Sequence, residues 1–221
     1  MRPATSEIKK LLEEIYSRLL NEFGHRNWWP GETRDEVIIG AILTQNVSWQ
    51  NVEKAISHLK QHGLLTLEAI HRTGTAEIAP LIKPTRFYNM KARKLKNFSE
   101  WLFITYGGDL ALMFQCHTGK LRQEMLAIGG LGEETVDSIL LYAGNRKVFV
   151  VDAYTVRIFS RLGIAGEKWR YTDYQEFFMK HLDDDISLYN DYHAQIVRLG
   201  IQYCKKTTPE CEKCPLSSIC E

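Results

Sequence analysis

The sequence lacks a long apolar run and a marked excess of charge. No stretch of its 221 residues approaches the roughly 18 apolar residues of a membrane-spanning helix, which argues against membrane insertion. Acidic and basic residues interrupt the N-terminal apolar positions, unlike in a secretion signal. The formal charge of +1 argues against holding nucleic acid by bulk positive charge. With 44% hydrophobic residues, we expect a globular protein of one large or two small domains. The lack of a secretion signal makes a cytoplasmic protein the default expectation.

Strand signals are nearly absent as well. Apolar residues recur at helical spacing, as at Leu12, Ile15 and Leu19, whereas Val148–Val151 is an isolated β-like run that predicts no sheet. The sequence therefore predicts an all-α fold. Turn and capping residues place the helices near 6–23, 34–45, 51–62, 66–72, 75–82, 88–105, 119–127, 133–143, 153–163, 172–182 and 186–203.

Cysteine is rare except at the end of the chain. Four of the five cysteines follow the pattern C-x6-C-x2-C-x5-C, namely Cys204, Cys211, Cys214 and Cys220. In a reducing cytoplasm, metal ligation explains this cluster better than disulfides. Zinc and iron–sulfur clusters both accept four thiolates, but structural zinc usually uses two separated C-x2-4-C pairs. One compact segment with all four ligands favours an iron–sulfur cluster over zinc, and Cys116 is interpreted as a small buried residue.

A glycine-rich link precedes an aspartate by about 20 residues. Gly130 and Gly132 flank Leu131 between two predicted helices, which is compatible with an ordinary link or with a turn whose backbone amides bind a phosphate. Asp152 stands at the start of the next predicted helix, where an aspartate is typically an N-cap. A capping carboxylate is also rigid and ionised, so capping and catalysis are compatible roles.

These features together resemble the helix-hairpin-helix DNA glycosylases of the endonuclease III superfamily. The resemblance extends along nearly the whole chain. It includes Leu43-Thr44-Gln45-Asn46, similar to the segment whose glutamine wedges into DNA, and Phe87-Tyr88-Asn89-Met90-Lys91-Ala92, similar to the Y-N-x-K-A stretch. The neighbouring lysines and arginine of that stretch are interpreted as a solvated helix face: Lys91, Arg93, Lys94 and Lys96.

The resemblance implies a bilobal all-α fold. Its six-helix lobe would span 25–146, with the hairpin at about 119–143, and its second lobe would combine 1–24 with 147–221. The cysteine segment 204–220 would hold a [4Fe–4S] cluster. The resemblance further implies damaged double-stranded DNA as the partner, a monomeric state, and a nucleoid-associated protein of prokaryotic type.

Glu134 departs from the pattern of the bifunctional family members. Those enzymes carry at this position a lysine that forms a Schiff base with the sugar, which a glutamate cannot do. The resemblance therefore implies a monofunctional glycosylase that uses water and leaves an abasic site. On local grounds alone, Glu134 is also a typical first-turn acid.

Three tryptophans resemble those of the endonuclease III-like 3-methyladenine glycosylases, the branch that this sequence resembles most. Trp28, Trp29 and Trp49 stand where aromatic residues of that branch sandwich the flipped base. An alkylated purine is cationic, and indole stacking adds a cation–π contribution of about 0.5–2 kcal/mol. Taken individually, each tryptophan is equally compatible with core packing.

The resemblance assigns roles to these residues. Asp152 would stabilise the sugar cation and orient water, Gln45 would fill the gap left by the flipped base, and Gly130, Leu131 and Gly132 would anchor the DNA backbone. Some members of the branch supply a pocket lysine from the last helix. Here that segment reads His193-Ala194-Gln195, so the base preference stays open.

Three alternatives remain. A bifunctional glycosylase/lyase for oxidised pyrimidines would need a nucleophilic lysine. A mismatch glycosylase acting on adenine, thymine or uracil would also lack that lysine. A DNA-binding or redox-sensing iron–sulfur module without activity would not need Asp152.

Overall fold

The computed structural model describes residues 5–26, 28–166 and 168–220. Positions 1–4, 27, 167 and 221 of the predicted lobes lie outside the described residues. The described part of the chain is helical and contains no strand, which confirms the all-α prediction. The helices are α1 (Thr5–Phe23), α2 (Arg34–Leu43), α3 (Trp49–Gln61), α4 (Leu67–Arg72), α5 (Thr75–Leu81), α6 (Tyr88–Tyr106), α7 (Leu110–Met113), α8 (Thr118–Leu126), α9 (Glu133–Ser138), α10 (Ala153–Arg161), α11 (Tyr171–His181) and α12 (Ile186–Gln202).

The chain divides into two compact units. The first takes the described residues within Met1–Trp28 and Lys147–Glu221, and the second is Trp29–Arg146. Within the described ranges, no helix has the length and apolar character needed to cross a bilayer.

Helix α2 is the core element of the second unit. All its residues from Glu36 to Leu43 are buried, and it packs on α3, α6 and α9. Thr33 begins this helix by accepting the backbone N–H of Glu36 on its side-chain oxygen, as N-cap residues do. The apolar run of the sequence thus becomes a helix buried on all sides.

Helix α12 organises the first unit. It packs against α1 and α10, and the Tyr192 hydroxyl donates to the carbonyl of Leu12 in α1 at 2.9 Å. Tyr192 also joins Phe149 and Phe178 in a fully buried aromatic cluster. Burial of each phenylalanine contributes about 1.5–3 kcal/mol. Because Phe149 lies three residues before Asp152, this cluster fixes the chain that enters α10.

The periodicity of the sequence does not predict two of the helical elements. Helix α7 is a single turn, held by Asp109, whose Oδ1 accepts from the backbone N–H of Ala111 at 2.7 Å. Residues Ile139–Ala143 continue α9 as a buried π-helical turn. The run Val148–Val151 is buried and does not pair into a sheet, as predicted.

Candidate active site

Asp152 begins α10 as its N-cap. Its Oδ1 accepts hydrogen bonds from the backbone N–H of Thr155 at 2.7 Å and from the Thr155 hydroxyl at 2.9 Å. Burial raises the pKa of this carboxyl, but hydrogen bonding with His193 and Thr155 outweighs burial and leaves the pKa below its ordinary value. With a side chain only 10% exposed, Asp152 is a buried carboxylate that stays ionised at neutral pH.

His193 of α12 faces the second oxygen of Asp152. Its Nε2 lies 3.6 Å from Asp152 Oδ2. The carboxylate is therefore held by Thr155 on one oxygen and faced by an imidazole on the other. Gln195 is fully buried on the same helix and donates Nε2 to the carbonyl of Gly24 at 2.7 Å. Through that hydrogen bond, Gln195 connects α12 to the residue that follows α1 within the first unit.

Helices α8 and α9 form the hairpin that the glycines predict. Gly130 has a φ of +95°, which favours glycine, and a Cβ there would lie 2.6 Å from Cγ of Lys94. Gly132 precedes α9 with extended backbone. The Leu131 side chain is buried, so this residue offers the solvent only its backbone.

A buried ion pair clamps the two hairpin helices together. Arg122 of α8 donates Nε to Asp137 Oδ1 at 2.7 Å and Nη2 to Asp137 Oδ2 at 2.9 Å. The Asp137 side chain in α9 is fully buried. This bidentate geometry fixes the angle of the hairpin and hence the conformation of its turn.

Gln45 lies against the hairpin turn. Its Nε2 donates to the Thr135 hydroxyl at 2.9 Å and to the carbonyl of Gly130 at 3.4 Å, and its Oε1 accepts from Lys94 Nζ. The structure thus brings together the residue expected to enter DNA and the turn expected to hold the DNA backbone.

Trp29 and Trp49 are in direct contact within the second unit. Their ring centroids are 5.1 Å apart and their planes meet at 88°, while Tyr142 of the π-helical turn packs 5.3 Å from Trp29. Gly40 makes room for this arrangement, because a Cβ there would lie 3.2 Å from Trp29 Nε1. In this edge-to-face arrangement, the faces of the two indoles are nearly perpendicular and not parallel. Trp28 belongs to the first unit.

Glu134 stands in the exposed first turn of α9. Its carbonyl accepts the Ser138 hydroxyl at 2.7 Å, inside the same helix. Glu134 belongs to the second unit and Asp152 to the first.

Sequence reasoning missed the role of Lys91. This lysine is buried, not solvated as the basic-face interpretation predicts, and its Nζ donates to the carbonyls of Leu43 at 2.8 Å and Thr85 at 2.6 Å. Burial lowers its pKa to about 8. The helical spacing of Lys91 with the buried Leu95 and Phe98 is the sequence signal that places it on the apolar face of α6.

The Lys91 ammonium also joins the end of α2 to the segment that precedes α6. Thr85, whose carbonyl accepts from Lys91, stands two residues before Phe87. Phe87 is 65% exposed and has a φ of +43°. Such a φ is strained for a bulky residue. The sequence motif identifies the segment that begins at Phe87, but it does not predict that Phe87 is exposed with a positive φ.

The terminal cysteines lie in the segment that follows α12. Burial raises the pKa of the Cys214 thiol, and the charges of Cys204, Cys220 and Cys211 raise it further. Arg161 Nη1 donates to Cys204 Sγ at 3.3 Å. In the described ranges, no three Cys, His, Asp or Glu side chains surround a single ion position. A donor set of four thiols in one segment fits an iron–sulfur cluster.

A family model of the HhH-GPD superfamily base excision DNA repair proteins matches residues 39–183. The chain belongs to this superfamily. A Methanocaldococcus jannaschii protein named as a candidate DNA repair glycosylase is 46% identical over 96% of each chain. The resemblance inferred from the sequence is therefore confirmed at the level of the family.

Solved HhH-GPD structures share the fold. The 3-methyladenine DNA glycosylase of H. pylori, bound to 1,N6-ethenoadenine, is 28% identical with a TM-score of 0.76, over 90% of this chain and 98% of that one. An endonuclease III–DNA complex has a TM-score of 0.82 at 20% identity, over 96% of this chain and 95% of that one. The second similarity establishes the fold alone.

Proposed function

We propose that this HhH-GPD protein is a monofunctional DNA glycosylase that releases alkylated purines, of the 3-methyladenine and 7-methylguanine type, and leaves an abasic site. The observation that carries the proposal is Asp152, a buried carboxylate kept ionised by His193 and Thr155. The similarity to a 3-methyladenine glycosylase of H. pylori supports the substrate class. Glutamate at position 134 supports a reaction without a Schiff base.

In the proposed reaction, the target nucleotide leaves the DNA helix before its glycosidic bond breaks. Unstacking costs a few kcal/mol and costs least for damaged bases. The backbone amides of the Gly130–Gly132 turn hold the DNA backbone, and Gln45 fills the gap that the base leaves. The exposed Phe87 stacks on the neighbouring bases.

Asp152 carries the chemical step. An alkylated purine is already cationic, so its departure with the bonding electron pair leaves a positively charged sugar and needs little acid catalysis. The Asp152 carboxylate stabilises that sugar cation and accepts a proton from the attacking water, which adds to C1′. His193 holds the carboxylate in the required orientation.

Trp49→Leu is expected to reduce discrimination in favour of cationic bases. Loss of one indole face removes a cation–π contribution of about 0.5–2 kcal/mol, so kcat/KM for 7-methylguanine should fall roughly 2- to 30-fold. Trp101→Leu is the matched control, because Trp101 packs on Phe98 and Tyr106 inside α6. Equal losses for both variants would contradict a base-stacking role for Trp49.

The four terminal cysteines would hold the proposed [4Fe–4S] cluster. These four thiolates would then be tied together through the cluster, which would order the segment after α12. Cys214→Ser should abolish iron and sulfide incorporation, measured per chain after purification, while Cys116→Ser retains roughly four irons. One zinc per chain in the wild-type protein would contradict the cluster.

Base release from a set of duplexes tests the substrate class. Duplexes carrying 7-methylguanine or 3-methyladenine should lose their modified base, whereas those with thymine or uracil opposite guanine, or with oxidised pyrimidines, should lose little. Borohydride should trap no covalent adduct. Faster release of thymine from a guanine mismatch would replace the proposed substrate class with the mismatch alternative.

A further inference from the structure

The Gln45 side chain is held at both ends of its amide. Its nitrogen donates to Thr135 and Gly130 on the hairpin, and its oxygen accepts from Lys94 on α6. A glutamine held by three contacts has to give up some of them before it can enter a DNA base stack. A residue that releases Gln45 would therefore take part in DNA binding.

Lys94 is half-buried and has a neutral hydrogen-bond partner. Burial lowers its pKa, and no acidic side chain among the described residues offsets that effect. A half-buried ammonium with no counter-charge is costly and attracts an anion. Its stem crosses the hairpin turn, since a Cβ on Gly130 would lie 2.6 Å from Lys94 Cγ and 2.9 Å from its Cε. The unpaired charge thus lies beside the turn.

Other residues of α6 differ from Lys94 in what they bind. Lys91 and Lys96 donate to backbone carbonyls, in the case of Lys96 to His71, and are fixed there. Asn97 donates to the carbonyl of Gly129 at 3.0 Å and ties the turn to α6 independently. Lys94 can therefore change partners without dismantling the turn.

We propose that Lys94 exchanges Gln45 for a backbone phosphate when DNA binds. In the free protein Lys94 holds the glutamine on the hairpin. When a phosphodiester reaches the turn, the ammonium bonds to it, and Gln45 is released for insertion. Phosphate binding and insertion are then coupled through a single positioning residue. This inference rests on the proposed function, because it requires a DNA target whose base leaves the helix.

The salt dependence of DNA affinity tests the phosphate contact. Binding to a duplex with a stable abasic-site analogue is measured by fluorescence anisotropy across a series of salt concentrations. Lys94→Gln should reduce the slope of log affinity against log salt by about 0.9, the value for one lost phosphate contact. Lys94→Arg should restore the slope, and Lys96→Gln, which removes the same charge from the same helix, should leave it unchanged. An unchanged slope in Lys94→Gln would overturn the proposal.

A double-mutant cycle tests the exchange itself. Lys94→Gln and Gln45→Ala each remove the contact between Lys94 and Gln45 that DNA binding must break. Each single variant therefore avoids the cost of breaking that contact, apart from any other effect that it has on DNA affinity. The double variant can avoid that cost only once. Its DNA affinity should therefore be about three- to tenfold weaker than the affinity obtained by adding the effects of the two single variants. Additive effects would mean that the contact persists in the complex, and a tighter double variant would mean that it forms only there. Either result would overturn the exchange.

These outcomes are separable from failure of the proposed function. If the wild-type protein neither binds the abasic duplex nor releases a base, the proposed function fails. If the wild-type protein does both and Lys94→Gln behaves like Lys96→Gln, only the role of Lys94 fails. Circular dichroism of each variant verifies that the helices are intact.

Discussion

Asp152→Asn is expected to slow base release by on the order of 10²–10⁴-fold, the usual contribution of a positioned general base. Asparagine keeps the shape of the side chain and still caps α10, so the variant should fold. It lacks the negative charge that stabilises the sugar cation and the oxygen that accepts the proton from water. Single-turnover release of 7-methylguanine measures the effect, and DNA affinity should stay within about threefold of the wild type, since no phosphate contact is lost.

Asp185→Asn is the matched control for Asp152→Asn. Asp185 is the N-cap of α12 in the same unit and accepts the backbone N–H of Ser187 at 2.7 Å. Its hydrogen bonds with Ser187 likewise lower its pKa. The control thus removes an equivalent capping carboxylate from an exposed position. If both variants lost activity equally, the loss would reflect removal of a negative charge at a helix N-terminus and not chemistry.

The pH dependence of base release follows from the same carboxylate. Because the pKa of Asp152 lies below its ordinary value of about 3.9, the group stays ionised as the pH falls from neutral to weakly acidic. The rate on 7-methylguanine should therefore be level across this range and fall only under strongly acidic conditions. A rate that fell by tenfold between pH 7 and pH 5 would contradict an ionised Asp152.

Arg122→Met is expected to have the largest effect on stability. Removing Arg122 takes the bidentate guanidinium away from the fully buried Asp137, which costs about 3–5 kcal/mol in the free energy of unfolding. Urea unfolding followed by circular dichroism measures the loss. Lys120→Met, on the same helix, breaks only the exposed pair with Glu124 and should cost less than about 1 kcal/mol. Equal losses would contradict the clamp.

The helices were predictable from the sequence because their causes are local. The apolar spacing of α1 and the capping side chain at the start of α10 lie within a few residues of the structure that they specify. The hairpin was predictable for the same reason, because Gly130 permits a φ that other residues rarely adopt. The π-helical turn at Ile139–Ala143 was not, since burial on all sides leaves no periodicity to interpret.

The contacts around the candidate site were less predictable because they join residues distant in sequence. Lys91 bonds to a carbonyl 48 residues away, and Gln45 meets Thr135 across 90 residues. The pairing of Asp152 with His193 likewise depends on how α10 packs on α12. Residue types and motifs single out candidate side chains, whereas tertiary packing decides what each of them contacts. Their catalytic and binding roles stay predictions.

Strand breakage with and without alkali tests the central claim most directly. The wild-type protein is incubated with an end-labelled duplex containing one 7-methylguanine, and the free base and the strand breaks are quantified in parallel. The account predicts free 7-methylguanine in the same amount as the breaks that appear only after alkali. Absence of free base, or strand breaks without alkali, would contradict a monofunctional glycosylase acting on alkylated purines.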